Sequence, residues 1–383
     1  MFSAFKKLPA DFLKALLSTI AAYTAMTIFF LYPLILSLDG YKPLQIGIAW
    51  IVFELALIFS RPWSNYFLHS KGTRKGMITG SLLMASGIGI LTIFPSMFFI
   101  LAGRIVQGTG WGLFVVSYSL HNASTLPVSL RGFGFGLAGI APVLPQLTFF
   151  PLGEWLVLSD LIYTTLIIAI ISCIFSFYMA LKIRSRHEKT TEHHNLLSVL
   201  KKTWKSKEIR AVLLSGSAFA MLAAPILPYI ANAAKEWGSA GSAFLLPAAL
   251  VSLSVRTFVS RIVDHYGSRL IPPAFIIAST GLLITCWIST TPALFAGGIL
   301  FGTGGGIAYP LIFSEISRIA PRELMTPLFT LFNTFIDAVW VIAPFFAAGI
   351  AEFAGFGGTL KISSLVIAVF VAFLTIKIWP DLK

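Results

Sequence analysis

The sequence predicts an all-α membrane protein with twelve transmembrane helices in two pseudo-symmetric six-helix bundles. Hydrophobic residues make up 57% and charged residues only 11% of the 383 residues, whereas soluble globular proteins carry about 25% charged residues. Apolar runs of about 20 residues, the length that crosses a bilayer as a helix, follow one another along the chain. Two polar loops of similar sequence lie 195 residues apart, once in each half, as in membrane proteins with an internal duplication.

The apolar runs can be followed in order from the N-terminus. The basic residues Lys6, Lys7 and Lys14 precede a run that is too long for a cleaved signal peptide and lacks a small-residue cleavage site, so we expect it to remain as span 1. The spans are predicted at 13–38, 43–67, 76–95, 97–121, 131–156, 160–184, 208–232, 238–263, 270–290, 293–317, 323–351 and 358–379. A cytoplasmic linker, 185–207, then joins an N-terminal bundle, 1–184, to a C-terminal bundle, 208–383.

The distribution of basic residues predicts the orientation. The termini and the loops on their side hold 24 of the 28 Lys and Arg residues, and the opposite side holds Lys42, Lys235 and Lys361. By the positive-inside rule both termini are cytoplasmic, in a multi-pass protein of the plasma membrane. This topology also explains the net charge of +13, so the expected surroundings are the lipid bilayer and nucleic acid is not an expected partner.

The duplicated loops share an Arg, a Gly eleven residues later, then a hydroxylated residue and a second Arg. These residues are Arg61, Gly72 and Arg74 in the first loop and Arg256, Gly267 and Arg269 in the second. The second loop also contains an acid, Asp264, at the position where the first has His69. At an offset of 194 residues, glycine triplets recur in spans 4 and 10, namely Gly108, Gly110 and Gly112, and Gly302, Gly304 and Gly306.

These motifs together resemble the major facilitator superfamily. The two loops resemble its loop signature G-x-x-x-D-R-x-G-R-R, and the run from Arg104 through Gln107 to Gly110 resembles its R-x-x-Q-G-x-G pattern. The glycines of span 5 with Pro142 are similar to a glycine-proline motif of the family's exporters. The resemblance covers nearly the whole chain, and it implies a secondary transporter, active as a monomer, whose two halves open alternately to the two sides of the membrane.

The resemblance also implies a gating role for both loops. In the family, the loop acid docks at the start of a helix of the other half, where the helix dipole and free N–H groups favour a carboxylate. Asp264 would therefore latch onto the start of span 5 near Arg131. His69 cannot supply the same anion, so the first loop departs from the family's pattern. The alternative is that both loops only anchor the orientation of the chain.

Three ionisable residues are predicted inside spans: Glu54, Arg104 and Asp337. A charge at the bilayer centre costs about 2.5–3.5 kcal/mol on the insertion scale, so each residue needs a partner or a function. At 1.5 Å per helical residue, Glu54 lies about 17 Å and Arg104 about 10 Å below the outer surface, within reach of each other if their spans are neighbours. We expect a pair that responds to protonation of Glu54, or else interior polar groups that fix helix packing.

The resemblance implies that spans 1, 4, 7 and 10 line the solute path. Polar and aromatic side chains there, with Asn333 of span 11, would suit a partly aromatic or amphipathic solute. They are Tyr23, Thr27, Tyr32, Trp111, Tyr118, His121, Tyr229, Asn232, Tyr309 and Asn333. Since aromatic residues make up 14% of the chain, many can instead belong to the interfacial belts of a membrane protein.

The expected function is secondary active transport of a small organic solute. The sequence has no G-x-x-x-x-G-K-[ST] motif and no loop long enough for a nucleotide domain, so an ion gradient is the expected energy source, with protons favoured by the isolated carboxylates. The span-5 motif favours export by antiport of a drug or metabolite against protons. The alternative is proton-coupled uptake of a nutrient such as a sugar or an organic acid.

Two other classes of protein are considered. A membrane-embedded enzyme would need clustered acids or histidines, and neither D-x-x-x-D nor H-E-x-x-H occurs; a non-transporting sensor on the same fold stays open. No cofactor or metal is expected, because Cys173 and Cys286 lie inside apolar runs and His193 and His194 lack partners at ligand spacing.

Overall fold

The computed structural model describes residues 7–94, 96–127, 130, 134, 137–184, 196–258, 267–319 and 324–381. Within these ranges the chain forms thirteen α-helices joined by short connections, and strands are absent from them. Eight helical segments of the described chain are long and apolar enough to cross a bilayer. The predicted all-α membrane fold is confirmed.

Six of the described helices belong to the N-terminal half. They are α1 (Ala10–Ile28), α2 (Tyr32–Leu38), α3 (Pro43–Ile93), α4 (Met97–Thr125), α5 (Val143–Leu158) and α6 (Ile162–Leu181). A short 3-10 turn, Phe29–Leu31, joins α1 to α2 within span 1. The long helix α3 contains spans 2 and 3, and the chain bends between them at Gly72.

Seven of the described helices belong to the C-terminal half. They are α7 (Leu196–Thr203), α8 (Lys207–Ala223), α9 (Ile230–Glu236), α10 (Ser242–Phe258), α11 (Ile271–Ile288), α12 (Thr291–Ile319) and α13 (Met325–Lys377). Helix α7 lies in the predicted linker, whose residues 185–195 fall outside the described part. Helix α13 contains spans 11 and 12, which meet at a bend at Gly355.

Span 7 is divided into two helices, α8 and α9. The interruption contains Pro225 and Pro228, which lack the backbone N–H that a continuous helix needs. Span 5 is represented by α5, which has 16 residues, and most of the predicted start of that span lies outside the described residues. Hydropathy thus predicts a continuous span 7, while its two prolines decide where α8 ends and α9 begins.

The chain forms two compact units. The first contains Met1–Ile35 and Ile48–Thr191, and the second contains Leu36–Gly47 and Glu192–Lys383. The start of α3 therefore belongs to the second unit, where the Glu352 carboxylate accepts a hydrogen bond from the backbone N–H of Leu44 at 2.8 Å. A carboxylate is favoured at this end of a helix by the dipole. The division predicted at 184 and 208 stays a prediction.

The duplication is visible in the backbone. Six of the seven described residues with positive φ form three pairs, 198, 195 and 195 residues apart: Gly40 with Gly238, Gly72 with Gly267, and Asp160 with Gly355. Gly72 and Gly267, the glycines shared by the two loop motifs, have φ of 79° and 53°. Because side chains with a Cβ are strained in this region, the repeated glycine is explained by the turn that it makes.

The glycine triplets let one helix lie against two others. In the first unit, Gly108 and Gly112 face the backbone of span 2, while Gly110 between them faces span 3 at Gly80. In the second unit, the triplet of α12 divides in the same way: Gly302 and Gly306 face α10, and Gly304 faces α11. A Cβ at these positions would meet backbone or side-chain atoms of the facing helix, so the motif has a packing role in both units.

Candidate functional site

Arg104 lies in the interior of the first unit, with 1% of its surface exposed. Its Nε donates to the carbonyl oxygen of Ala49 at 3.1 Å, and its Nη1 donates to Oε1 of Gln107 at 2.7 Å. Four aromatic rings surround the guanidinium, with centroids 4.3–5.7 Å from Cζ: Phe29, Tyr32, Trp50 and Phe53. Cation–π attraction and the two neutral acceptors stabilise a charge that is costly to hold in a membrane helix.

Three parts of the chain build this cage. Phe29 and Tyr32 come from the 3-10 turn in span 1 and the residue after it, and Ala49, Trp50 and Phe53 come from one turn of α3. Gln107 is placed beside the guanidinium because residues three apart on a helix share a face. The sequence pattern R-x-x-Q-G-x-G contains both Arg104 and Gln107. It gave no sign that the aromatic residues of spans 1 and 2 would converge on it.

The two intramembrane carboxylates lie in different units. Glu54 is on α3 one turn beyond Trp50, in the first unit, and Asp337 is on α13 in the second; both are half-buried. The pairing of Glu54 with Arg104, and the roles of all three charges in proton coupling, stay predictions.

The first polar loop is held within its own unit. Nη2 of Arg74 donates to the carbonyl oxygen of Leu181, at the end of α6, at 2.6 Å. Thr73 Oγ1 lies 3.2 Å from Nδ1 of His121, whose Nε2 lies 3.3 Å from Thr125 Oγ1. A cationic side chain at a helix C-terminus is favourable, so the closing Arg of this loop has an anchoring contact. His69 is exposed and Arg61 is half-buried.

The second polar loop is described at its two ends. At the end of α10, the guanidinium carbon of Arg256 lies 5.5 Å from the ring centroid of Tyr309. Gly267 opens the 3-10 turn Gly267–Leu270, in which Arg269 is exposed. Asp264 and Arg131 lie outside the described residues, so the predicted latch stays a prediction.

The residues predicted to line the solute path differ in exposure. Half-buried side chains are found at Tyr23, Trp111, Tyr309 and Asn333, and buried ones at Thr27, Tyr32, Tyr118, His121, Tyr229 and Asn232. Among the first group, the rings of Tyr23 and Trp111 meet edge to face at a centroid distance of 4.9 Å. In the second group, the hydroxyl of Tyr229 donates to the carbonyl oxygen of Pro344 at 2.9 Å. Contact of either group with a solute stays a prediction.

The family follows from comparison with known proteins. Residues 15–344 match the profile of the Major Facilitator Superfamily. The chain belongs to this family. It is therefore a membrane transporter and not an enzyme. A curated relative, the "Multi-drug resistance efflux pump PmrA homolog" of Lactococcus lactis, is 20% identical over 344 residues, which cover 86% of this chain and 84% of that protein.

Solved structures of the same fold support the assignment. A POT family transporter in complex with a thioalcohol-conjugated peptide has a TM-score of 0.74 at 12% identity, covering 97% of this chain and 96% of that one. The nucleoside transporter NupG has a TM-score of 0.76 at 10% identity, with 97% and 100% covered. The human organic anion transporter MFSD10 has a TM-score of 0.66 at 15% identity, with 96% and 100% covered. At these identities the likeness shows the fold.

The second unit also contains an apolar cavity of about 530 Å³ that is open at its side, where lining residues such as Ile342 and Phe346 are exposed. Helix α8 with the turn after it and both parts of α13 line it, through Ser217, Met221, Pro225, Thr334, Phe335, Ala338, Val339, Ile342, Ala343, Phe346, Ala347, Ile350, Ile362, Ser363 and Val366. Three hydroxyl groups are the polar side-chain groups of this lining. A cavity of this size and character suits the apolar body of a small organic molecule. Hydropathy could not predict it, because its lining resembles any lipid-facing helix surface.

Charged groups near the ends of the spans have local roles. The Glu236 carboxylate accepts hydrogen bonds from the backbone N–H groups of Phe356 at 3.0 Å and Gly357 at 2.6 Å, so it caps the helix that begins after the bend at Gly355. Nε of Arg318 donates to Glu315 at 3.1 Å, and this hydrogen bond raises the pKa of Arg318. No group of three or more possible metal ligands is found among the described residues.

Proposed function

We propose that this protein exports a small amphipathic organic solute from the cell in exchange for protons. Membership in the major facilitator superfamily supports transport, and the relative described as a multidrug efflux pump, similar over 84% of its own length, supports export. The protein would act as a monomer in the plasma membrane, with both termini in the cytoplasm, as the basic loops indicate.

The observation that carries the proposal is a carboxylate on a membrane helix in each unit. Glu54 and Asp337 lie within segments that are apolar enough to cross a bilayer. An ionised carboxylate is costly there, whereas its protonated form is not, so binding and release of a proton change the relative energies of the states that expose it to either side. In this mechanism a proton that binds from outside favours the return of the solute-free protein to the state that is open to the cytoplasm.

The expected solute is amphipathic, because the cavity of the second unit is almost wholly apolar. Its volume of about 530 Å³ lies in the range of drug-sized binding sites. Hydroxyl groups such as those of Ser217 and Thr334 offer few hydrogen bonds, so recognition there would depend mainly on apolar contact.

The proposal is tested with Glu54→Gln and Asp337→Asn in proteoliposomes that carry an imposed pH gradient. A panel of labelled cationic dyes, nucleosides, sugars and aromatic carboxylates is scored for extrusion and accumulation. We expect both variants to lose gradient-driven movement of the solute that the wild type extrudes. Glu208→Gln is the matched control, since Glu208 is exposed at the start of α8 and should leave pumping unchanged.

Two results would contradict the proposal. If Glu54→Gln and Asp337→Asn both transport the solute at the wild-type rate, the assignment of proton coupling to these residues is wrong. Gradient-driven accumulation of a sugar or organic acid, instead of extrusion, would assign the protein to nutrient uptake.

A further inference from the structure

The surroundings of Arg104 contain an excess of hydrogen-bond donors. Arginine has donors only, so its contact with Gln107 fixes the amide with Oε1 toward the guanidinium and leaves Nε2 as a donor. Nε2 of Gln107 is buried and has no hydrogen-bond partner in the described chain, and the same holds for Nε1 of Trp50. Gln107 is 0% exposed and Trp50 is 6% exposed.

This combination is unfavourable unless an acceptor joins it. A buried donor without a partner costs about 1–3 kcal/mol, and here two of them accompany a buried cation. The acceptors that Arg104 contacts by hydrogen bonds, the Ala49 carbonyl and the Gln107 amide oxygen, are both neutral, and the Glu54 carboxylate acts on the guanidinium electrostatically. Buried polar groups nearly always have hydrogen-bond partners. Two buried donors without partners beside one buried cation therefore point to a bound acceptor.

On the side of span 1 the cage is built on an irregular stretch of helix. Phe29 lies in the 3-10 turn Phe29–Leu31, and Tyr32 is the residue that follows it. Pro33 comes next and cannot donate a backbone hydrogen bond. A short 3-10 stretch inside a long helix often marks a hinge, so a ligand of this site would enter through a movement of this stretch of span 1.

We propose that Arg104, Gln107 and Trp50 form a binding site for the carboxylate of an aromatic organic acid, which is the transported solute. The inference rests on the proposed transport function and adds the chemical class of the solute. A carboxylate presents two oxygens in a plane, which match the fork of a guanidinium and leave positions for the N–H groups of an amide and an indole. The rings of Phe29 and Phe53 beside the guanidinium suit an aryl group attached to that carboxylate.

Equilibrium binding of radiolabelled benzoate to the purified protein tests the site without any gradient. We expect saturable binding that excess unlabelled benzoate displaces and that benzamide, the neutral analogue of the same shape, does not. Trp50→Phe keeps the ring but removes one donor and should weaken binding about tenfold, the lower end of the range for a hydrogen bond to a charged group. Gln107→Glu places a carboxylate beside Arg104 and should abolish binding.

Trp63→Phe is the matched control, because Trp63 lies on the same helix, 42% exposed, and is not part of the cage. The binding measurement is repeated with Glu54→Gln, in which the carboxylate of Glu54 cannot compete with benzoate for the donors of Arg104, Gln107 and Trp50. Equal displacement by benzamide, equal effects of Trp50→Phe and Trp63→Phe, or no saturable binding to either the wild type or Glu54→Gln would overturn the inference. Failure of this inference would leave proton-driven transport of another solute possible, so it can be distinguished from failure of the proposed transport function.

Discussion

Buried polar residues in this protein act mainly through their immediate neighbours. Arg104 is held by a carbonyl, an amide and four rings, and His121 lies between two threonine hydroxyls. The sequence placed both residues in membrane spans. It could not give their partners, because hydropathy reports how apolar a segment is and not which faces of two helices meet. Trp50 was missed for this reason: in the sequence it is one of nine tryptophans, and nothing about its neighbours in the sequence distinguishes it.

The repeated loop motif did indicate a structural role for Gly72. Its φ of 79° and ψ of 165° are accessible to glycine and strained for other residues. We expect Gly72→Ala to lower the free energy of unfolding by about 1–3 kcal/mol, measured by thermal unfolding of the purified protein.

Gly89→Ala is the control for this substitution, since a Cβ at Gly89 meets nothing within 4 Å. Alanine is also the better helix former, so stability should stay the same or rise slightly. Equal melting temperatures for Gly72→Ala and the wild type would show that the bend between spans 2 and 3 does not need glycine.

At the scale of elements, the same helix contacts are made twice. A Cβ on Gly87 of α3 would lie 2.6 Å from the carbonyl oxygen of Gly103, and one on Gly281 of α11 would lie 2.5 Å from that of Gly297. The two contacts are 194 residues apart in sequence. The glycine repeat predicted a duplicated element, and the structure explains why glycine is needed: two helix backbones touch in each unit.

This equivalence can be measured. We expect Gly87→Ala and Gly281→Ala to destabilise the protein by similar amounts, about 1–3 kcal/mol each, because each added methyl group pushes two backbones apart. Thermal unfolding gives the comparison, again against Gly89→Ala. A large effect in one unit with none in the other would show that the contacts are not equivalent.

At the scale of the molecule, the all-α membrane architecture and the major facilitator fold could be predicted from the sequence. Their basis was physical: the length of the apolar runs, the placement of basic loops and a repeated motif. The helix ends and the short second part of span 7, α9, could not be predicted in detail, since they depend on prolines and caps. The apolar cavity could not be predicted either, because it lies between α8 and α13 and depends on how these two helices pack.

The difference between the two polar loops leads to a prediction about gating. Asp264 is the acid of the second loop, whereas the first loop has the exposed His69. If a loop acid latches the cytoplasmic side by binding a helix start, Asp264→Asn should slow transport far more than His69→Ala. Initial rates in proteoliposomes at equal protein content provide the measurement. Equal effects would leave both loops as markers of orientation.

The most direct test of proton-coupled export follows the lumenal pH of proteoliposomes loaded with a pH-sensitive dye, with no gradient imposed at the start. The solute identified by the transport panel is added outside. Antiport predicts that the lumen becomes alkaline as solute enters and protons leave, and that Glu54→Gln abolishes the change. Acidification of the lumen, or solute entry with no change in pH, would contradict the account.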